Sequence, residues 1–173
     1  MRRLAIGLLL LVLAAACDDA PVEPTPDTTA AFTAVLTTAN EVPPVTNVEF
    51  GCAGNVTIRV NNLTRNASNV ITAAKVDFSG NVTGCVNASI NFGYIREAGP
   101  GLIGAIVVDS GLTPGQLVVV NGLGSFSTIG RDPQGGDFTI IQRMLDNPNG
   151  FYFNLHSTIN PNGVIRGQLV RTQ

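Results

Sequence analysis

The 173-residue chain has no Trp, one Lys, one His and three Cys. Charged residues make up 13% of it, against about 25% in an average soluble domain. Each scarcity excludes something. With 10 Lys+Arg against 12 Asp+Glu and a formal charge of −2, there is no basic block of the kind that neutralises nucleic-acid phosphates, so no nucleic-acid partner is expected. One His and so few Cys leave too few donors for a zinc ribbon or a His-rich metal cage. No Gly-rich loop stands between a strand and a helix with a Lys to cradle phosphates. Ser125 and Ser127 lack a nucleophile motif, and Asp109, Asp132 and Asp137 are not spaced as a calcium loop. What is abundant is Gly (19), Val (19), Thr (16) and Asn (16), the residues of strands and turns.

Met1-Arg2-Arg3 opens the chain with positive charge, and residues 4–16 form an apolar run. As a helix that run spans about 20 Å, short of the roughly 30 Å of a bilayer core. Charge, a short apolar stretch and small residues at its end make residues 1–16 a secretory signal peptide. The end, Leu13-Ala14-Ala15-Ala16-Cys17, resembles a bacterial lipobox, although Ala14 stands where Leu is usual. That resemblance implies a lipoprotein signal peptide, acylation of Cys17 and an extracytoplasmic, membrane-anchored place in the cell envelope. The alternative is a plain signal peptide cut after an Ala, with Cys17 left as a thiol. Residues 17–31, rich in Pro and acid, cannot bury a core and read as a disordered linker. Asp18, Asp19, Glu23 and Asp27 all fall within it, while residues 32–173 carry eight charges of each sign. The tether is acidic and the domain is neutral.

If Cys17 carries lipid, Cys52 and Cys85 remain to pair in an oxidising compartment. A redox-active pair would more often show C-x-x-C spacing, which is absent, so a structural disulfide is expected.

From residue 32 onward, short apolar or alternating runs are punctuated by Gly, Asn and Pro. Val56, Ile58 and Val60 alternate strictly with polar residues and share one strand face. Further strands are predicted over 32–37, 70–78, 86–95, 104–109, 117–121, 150–156 and 164–170. About eight short strands imply an all-β fold, an antiparallel β-sandwich or barrel. One segment breaks the period of two. Over 137–146 the apolar residues Phe138, Ile141, Met144 and Leu145 fall at helical spacing. Asp137 is a candidate N-cap and Asn147-Pro148 a stop. This short helix is expected to lie across one open end of the sheet.

Two stretches carry a family likeness: Ala39-Asn40-Glu41-Val42-Pro43-Pro44-Val45 near the start, and Phe151-Tyr152-Phe153-Asn154-Leu155-His156-Ser157 followed by Asn162-Gly163-Val164-Ile165-Arg166-Gly167-Gln168-Leu169 near the end. Together they resemble the CHRD domain, named from chordin and common in bacterial exported proteins. The family pattern has N-E-V-P-P after the first strand, a Y-V-N-x-H-T strand late and G-x-I-R-G-Q-L as the closing strand. The resemblance covers about residues 31–171, so the domain is placed at 32–173. It implies structural motif roles for Glu41, Pro43, Pro44, His156, Gly163, Arg166 and Gly167. Many members carry A-H-I-H in the middle of the domain, whereas this chain reads Gly93-Tyr94-Ile95-Arg96. Two His at i and i+2 with His156 would form a metal-ligand set. With Tyr94 and Arg96 in their places, Tyr94, Arg96 and His156 form at most a degenerate site, and neither metal nor cofactor is expected.

His156 has two readings: a ligand or general base, since its ordinary pKa near 6.5 suits either, or a half-buried strand His bonded to backbone or to Glu41. Glu41 and Arg166 have opposite charge and either tie the first loop to the last strand or stay on the surface. The expected function is a lipid-anchored, non-enzymatic binding or structural module with a membrane partner through its anchor and a protein or carbohydrate ligand. The alternative is a metal-binding protein or metal-dependent enzyme.

Overall fold

The computed structural model describes residues 28–86 and 88–173. The expected signal peptide over 1–16, Cys17 and the expected linker as far as residue 27 lie outside the described residues. The strands are β1 (Ala30–Thr37), β2 (Ala53–Arg65), β3 (Ile71–Thr83), β4 (Ile90–Glu97), β5 (Ala105–Asp109), β6 (Gly124–Arg131), β7 (Phe151–Ser157), β8 (Ile165–Gln168) and β9 (Val170–Arg171). The helix α1 spans Thr139–Asp146.

The sheet order is β5-β4-β7-β8-β1-β2-β3-β6, with β9 adding to β1, and the pairs are antiparallel. A bridge between Val108 and Pro133 and a 3.0 Å bond from Arg131 Nε to the Asp109 carbonyl bring the two outer strands together. The sheet thus curls into a nearly closed barrel, the all-β, antiparallel architecture with one short helix that the patterning predicts.

The interior follows from period-two alternation. Val56, Ile58 and Val60 are buried along β2, and Phe32 of β1 lies opposite Ile58. Phe153 of β7 stacks on Phe126 of β6 at 6.2 Å and tilts against Phe78 of β3 at 5.7 Å, so three rings from three strands fill the barrel axis. Fully burying one such side chain stabilises the fold by roughly 1.5–3 kcal/mol.

Register places the loops at two ends. Thr37 and Thr83 both lie opposite Ala53, Gly124 lies opposite Val82, and Ile90 lies opposite Ser157. The loops 38–52, 84–89, 110–123 and 158–164 therefore share one end, and Cys52–Cys85 is a disulfide between two of them. The start of β1, the turn 66–70 and α1 lie at the other end. Ile140, Ile141 and Met144 of α1 enter the core, while Gln142 accepts from Arg65 at 2.8 Å and Arg143 pairs with Glu97 at 2.8 Å. The helix covers that end, as a two-turn helix needing a packing surface should. Asp137 caps it from just outside, its carboxylate accepting the Thr139 N–H at 3.0 Å.

Two strand expectations need correction. Residues 117–121 are not a strand: Leu117 is buried as an anchor, Val118 and Val120 are exposed, and only a Val120–Leu123 bridge forms. The strand is β6 instead, seven residues on. Its single fully inward residue is Phe126, while Ile129 faces solvent, so its apolar alternation is too sparse to read. β2 and β3 also run 13 residues each, longer than the apolar runs within them, because the hairpin ladder continues past those runs through outward Asn and Thr side chains and resumes beyond a register shift between Asn61 and Arg65.

Candidate functional site

Along β7, Phe153 and Leu155 point into the barrel, so Tyr152, Asn154 and His156 point outward. Yet every residue of β7 is buried. Two segments fold over this outer face. From one end comes 38–50, which includes a cis Val42–Pro43 bond and is fastened by Thr38 Oγ1 to the Phe50 carbonyl at 2.8 Å and Asn40 Nδ2 to the Arg166 carbonyl at 3.2 Å. From the other comes 98–104. Where the two approach, Glu41, Val42, Pro44, Pro100, Gly101 and Gln168 line a cleft of about 470 Å³.

Arg166 of β8 lies opposite Asn154 and is 2% exposed. Its Nη1 donates to the Leu102 carbonyl at 2.8 Å and its Nη2 to the Gly99 carbonyl and Gln168 Oε1, each at 3.0 Å. Its guanidinium carbon sits 3.4 Å from the centre of the Tyr152 ring. The planar fork suits two carbonyls and an aromatic face at once, as a Lys ammonium would not. Arg166 thereby holds the 98–104 flap.

Glu41 holds the other flap. Its residue is 6% exposed, and burial pushes its carboxyl up to about 7, against the hydrogen bond from Asn154, the charges of Arg166 and Arg96 and the Val42 N–H. A Cβ on Gly163 would lie 2.5 Å from Glu41 Oε1, so the carboxyl packs on a bare Cα. Pro43 and Pro44 continue from Glu41 as the exposed wall of a second cleft of about 290 Å³ that Asn160 to Gly163 close from the far side. Gly167 plays a different part: a Cβ there would run into the Val35 carbonyl of β1, so it permits the close β1–β8 approach rather than joining this cluster.

His156 Nδ1 is 2.8 Å from the Pro161 carbonyl. A carbonyl only accepts, so Nδ1 carries the hydrogen and Nε2 is left as a bare acceptor. Burial lowers the imidazole pKa, with the Arg96 charge adding to the effect. The ring meets Tyr94 edge-on at 5.0 Å. Tyr94 in turn stands in a ladder along β4, between Phe92 at 6.3 Å and the Arg96 guanidinium at 5.7 Å. Burial and then the Asp109 charge raise its phenol pKa.

The fold thus brings Glu41, Tyr94, Arg96, His156 and Arg166 to one covered face. Arg166 and Glu41 act on each other electrostatically, but the hydrogen bonds of Arg166 go to carbonyls and those of Glu41 to Asn154 and backbone. Glu41 Oε1, Arg96 Nε, Asn154 Oδ1 and His156 Nε2 are buried without a partner. Three of these four are acceptors of the kind that ligate cations. The set nonetheless fits a metal badly: two guanidinium groups flank one carboxyl, so the local charge opposes a cation. Tyr152, 2% exposed, lies under Arg166, and half-buried Tyr94 stacks on the exposed ring of Phe92.

Sequence reasoning passed over Asn154 and Glu49, and took Tyr152 for an exposed aromatic suited to a carbohydrate, whereas it is 2% exposed. Asn154 and Tyr152 share the period-two face of His156, which was the available signal. Glu49, 1% exposed, accepts from Ser157 Oγ and Asn160 Nδ2 and so pins the far part of the flap to the turn after β7. Nothing in its loop sequence marks it as buried.

A family model, the CHRD domain, matches residues 32–169. The chain belongs to the CHRD domain family. Comparison with curated proteins and with solved structures returns no match. The CHRD match runs from Phe32 within β1 to Leu169, so it takes in both flaps, the disulfide and the helix. The N-E-V-P-P and G-x-I-R-G-Q-L motifs of the CHRD pattern are accordingly the two fastenings just described, Glu41 in its flap and Arg166 against the other.

Proposed function

We propose that this chain is a lipid-anchored, non-enzymatic CHRD module of a bacterial cell envelope, tethered through Cys17 and presenting its barrel outside the cytoplasm for binding or structural interaction. The observation that carries the non-enzymatic reading is the use of the motif side chains. Arg166 is committed to the Gly99 and Leu102 carbonyls and to Tyr152, and His156 to the Pro161 carbonyl. A carboxyl near pKa 7 suits proton transfer, but Glu41 is 6% exposed and held in its flap against Asn154 and Gly163. The exported location is supported by the residue 1–17 pattern and by the Cys52–Cys85 disulfide, which persists in oxidising compartments.

The deciding experiment is fractionation of cells carrying the full chain, with labelled fatty acid. The wild type is expected in the membrane fraction, labelled, and released by detergent. Cys17→Ala is expected to be unlabelled. A wild type that is soluble and unlabelled, or a Cys17→Ala chain that still takes up label, removes the anchor from the reading. Metal analysis of the purified protein tests the rest: stoichiometric zinc or copper lost on His156→Ala would replace the non-enzymatic module with a metal protein.

A further inference from the structure

The loop end of the barrel that carries the disulfide has an unusual surface. Its four loops, 38–52, 84–89, 110–123 and 158–164, contain two charged residues, Glu41 and Glu49, and both are buried. That whole end therefore presents no charge to solvent. It presents large apolar side chains instead: Val48, Phe50, Val86, Val118, Val120 and Leu123 are all exposed, Phe50 by 64% and Val118 by 65%.

The exposed residues form a ridge rather than a scatter. Gly51 and Gly84 are in close contact, the Cys85 N–H donates to the Gly122 carbonyl at 3.1 Å, and Gly122 abuts the Val86 side chain. Three loops are thereby laid side by side, with the Cys52–Cys85 bond beneath them and the Val120–Leu123 bridge shaping the third. A contiguous apolar patch with a polar border marks a docking surface on a soluble domain, and a braced ridge loses little conformational entropy on binding.

We infer that this end is a homophilic interface: two copies of the chain meet end to end across a two-fold axis. In an isologous contact each group near the axis faces its own copy, so an exposed charge there would meet a like charge. An end with none meets no such repulsion. The exposed polar residues of the third loop are Thr113, Gln116 and Asn121, whose side chains each both donate and accept, so identical copies can pair them. The start of β1, where the tether joins, lies at the opposite end and does not obstruct the contact. A bilayer fits less well, because surface-bound loops draw on Lys or Arg to hold anionic headgroups and these loops have none. The inference stands whether or not Cys17 is acylated.

Cysteine cross-linking of the full chain in its own membranes or extract tests it. Val118→Cys, on the ridge, is expected to give a covalent dimer under mild oxidation, and Ser68→Cys, in the turn at the other end, to give none. Both variants keep Cys17, so any link through that residue appears equally in both. Adding Val120→Asp or, in a separate loop, Phe50→Asp to Val118→Cys is expected to lower the dimer yield more than about tenfold. Each variant is admitted only with its Cys52–Cys85 bond formed and an unchanged melting temperature. Raising salt should not weaken the dimer, as no charge pair holds it. No dimer from Val118→Cys, equal yields from the two ends, or a dimer indifferent to both Asp substitutions overturns the inference. So does a ridge that holds the chain to neutral-lipid vesicles as a monomer.

Discussion

Glu41 is an acid held where its own charge is costly, and that makes the fold sensitive to pH in a definite direction. Its carboxyl titrates near 7 when folded instead of 4.5, so between those values the folded chain keeps a proton that the unfolded chain has lost. The stability from this proton is fully present below about pH 4.5, declines as pH rises and is gone above about 7, a span of roughly 3 kcal/mol. His156 works the other way: its pKa is lowered, so its contribution is present above its ordinary 6.5 and fades as pH falls below that. Glu41→Gln should flatten the pH 4.5–7 decline in urea midpoints while leaving the acid-side fall. A decline as steep in Glu41→Gln as in the wild type would show that the carboxyl is not the source. Gly163→Ala is expected to cost about 2–4 kcal/mol, because the new Cβ meets Glu41 Oε1 at 2.5 Å on a backbone with φ of 138°. Glu41→Ala should relieve part of that cost in the double variant, and additive losses would refute the contact. At this scale the sequence was legible through its motifs: Glu41, Tyr94, Arg96, His156 and Arg166 were all named from spacing and resemblance. The covering of the face was not legible. Which outward residues become buried depends on two flaps arriving from opposite ends of the barrel, and no local period records that.

Among elements, the readable ones were those whose burial follows a simple period. β2 has strict alternation and α1 has apolar residues at helical spacing, and both formed where expected. β6 failed the same test because one inward ring, Phe126, carries it, while the Leu117–Val120 run drew attention by composition although two of its valines face solvent. A strand of Gly, Ser and Thr is held by its neighbour's ladder and not by its own apolar face. The disulfide was legible by counting, and its position adds what counting does not supply. It joins residues 33 apart just beyond the last paired residues of the β2–β3 hairpin, Ala53 and Thr83. Closing a loop of that length in the unfolded chain is worth about 3–4 kcal/mol. The Cys52→Ala, Cys85→Ala double variant should therefore unfold at a clearly lower urea concentration. A midpoint equal to that of the oxidised wild type would mean that the hairpin alone fixes this end.

The whole barrel is not equally stable around its circumference. From β4 through β7 to β8, and from β1 through β2 and β3 to β6, neighbouring strands share ladders, and β8 joins β1 at Thr37 opposite Arg166 with β9 continuing along β1. Among the described residues no ladder joins β5 to β6, which meet through the Val108–Pro133 bridge and the bond from Arg131 to the Asp109 carbonyl. Arg131 also lies against Gly111, where a Cβ would be 2.8 Å from its guanidinium, so one side chain latches the seam from β6 to the segment after β5. Local opening concentrates where few hydrogen bonds and little buried surface resist it. Hydrogen exchange should then rank the amides by distance from the seam, with β5 exchanging through small openings and the β1–β2–β3 ladders only on global unfolding. Arg131→Ala removes the latch, a hydrogen bond from a charged group worth about 1.5–3 kcal/mol. Its expected signature is faster exchange in β5 and in residues 110–112, with β1, β2 and β3 slowed or hastened no more than the change in global stability requires. An equal acceleration in every strand would mean that the barrel opens as a single unit and that the seam has no weakness of its own.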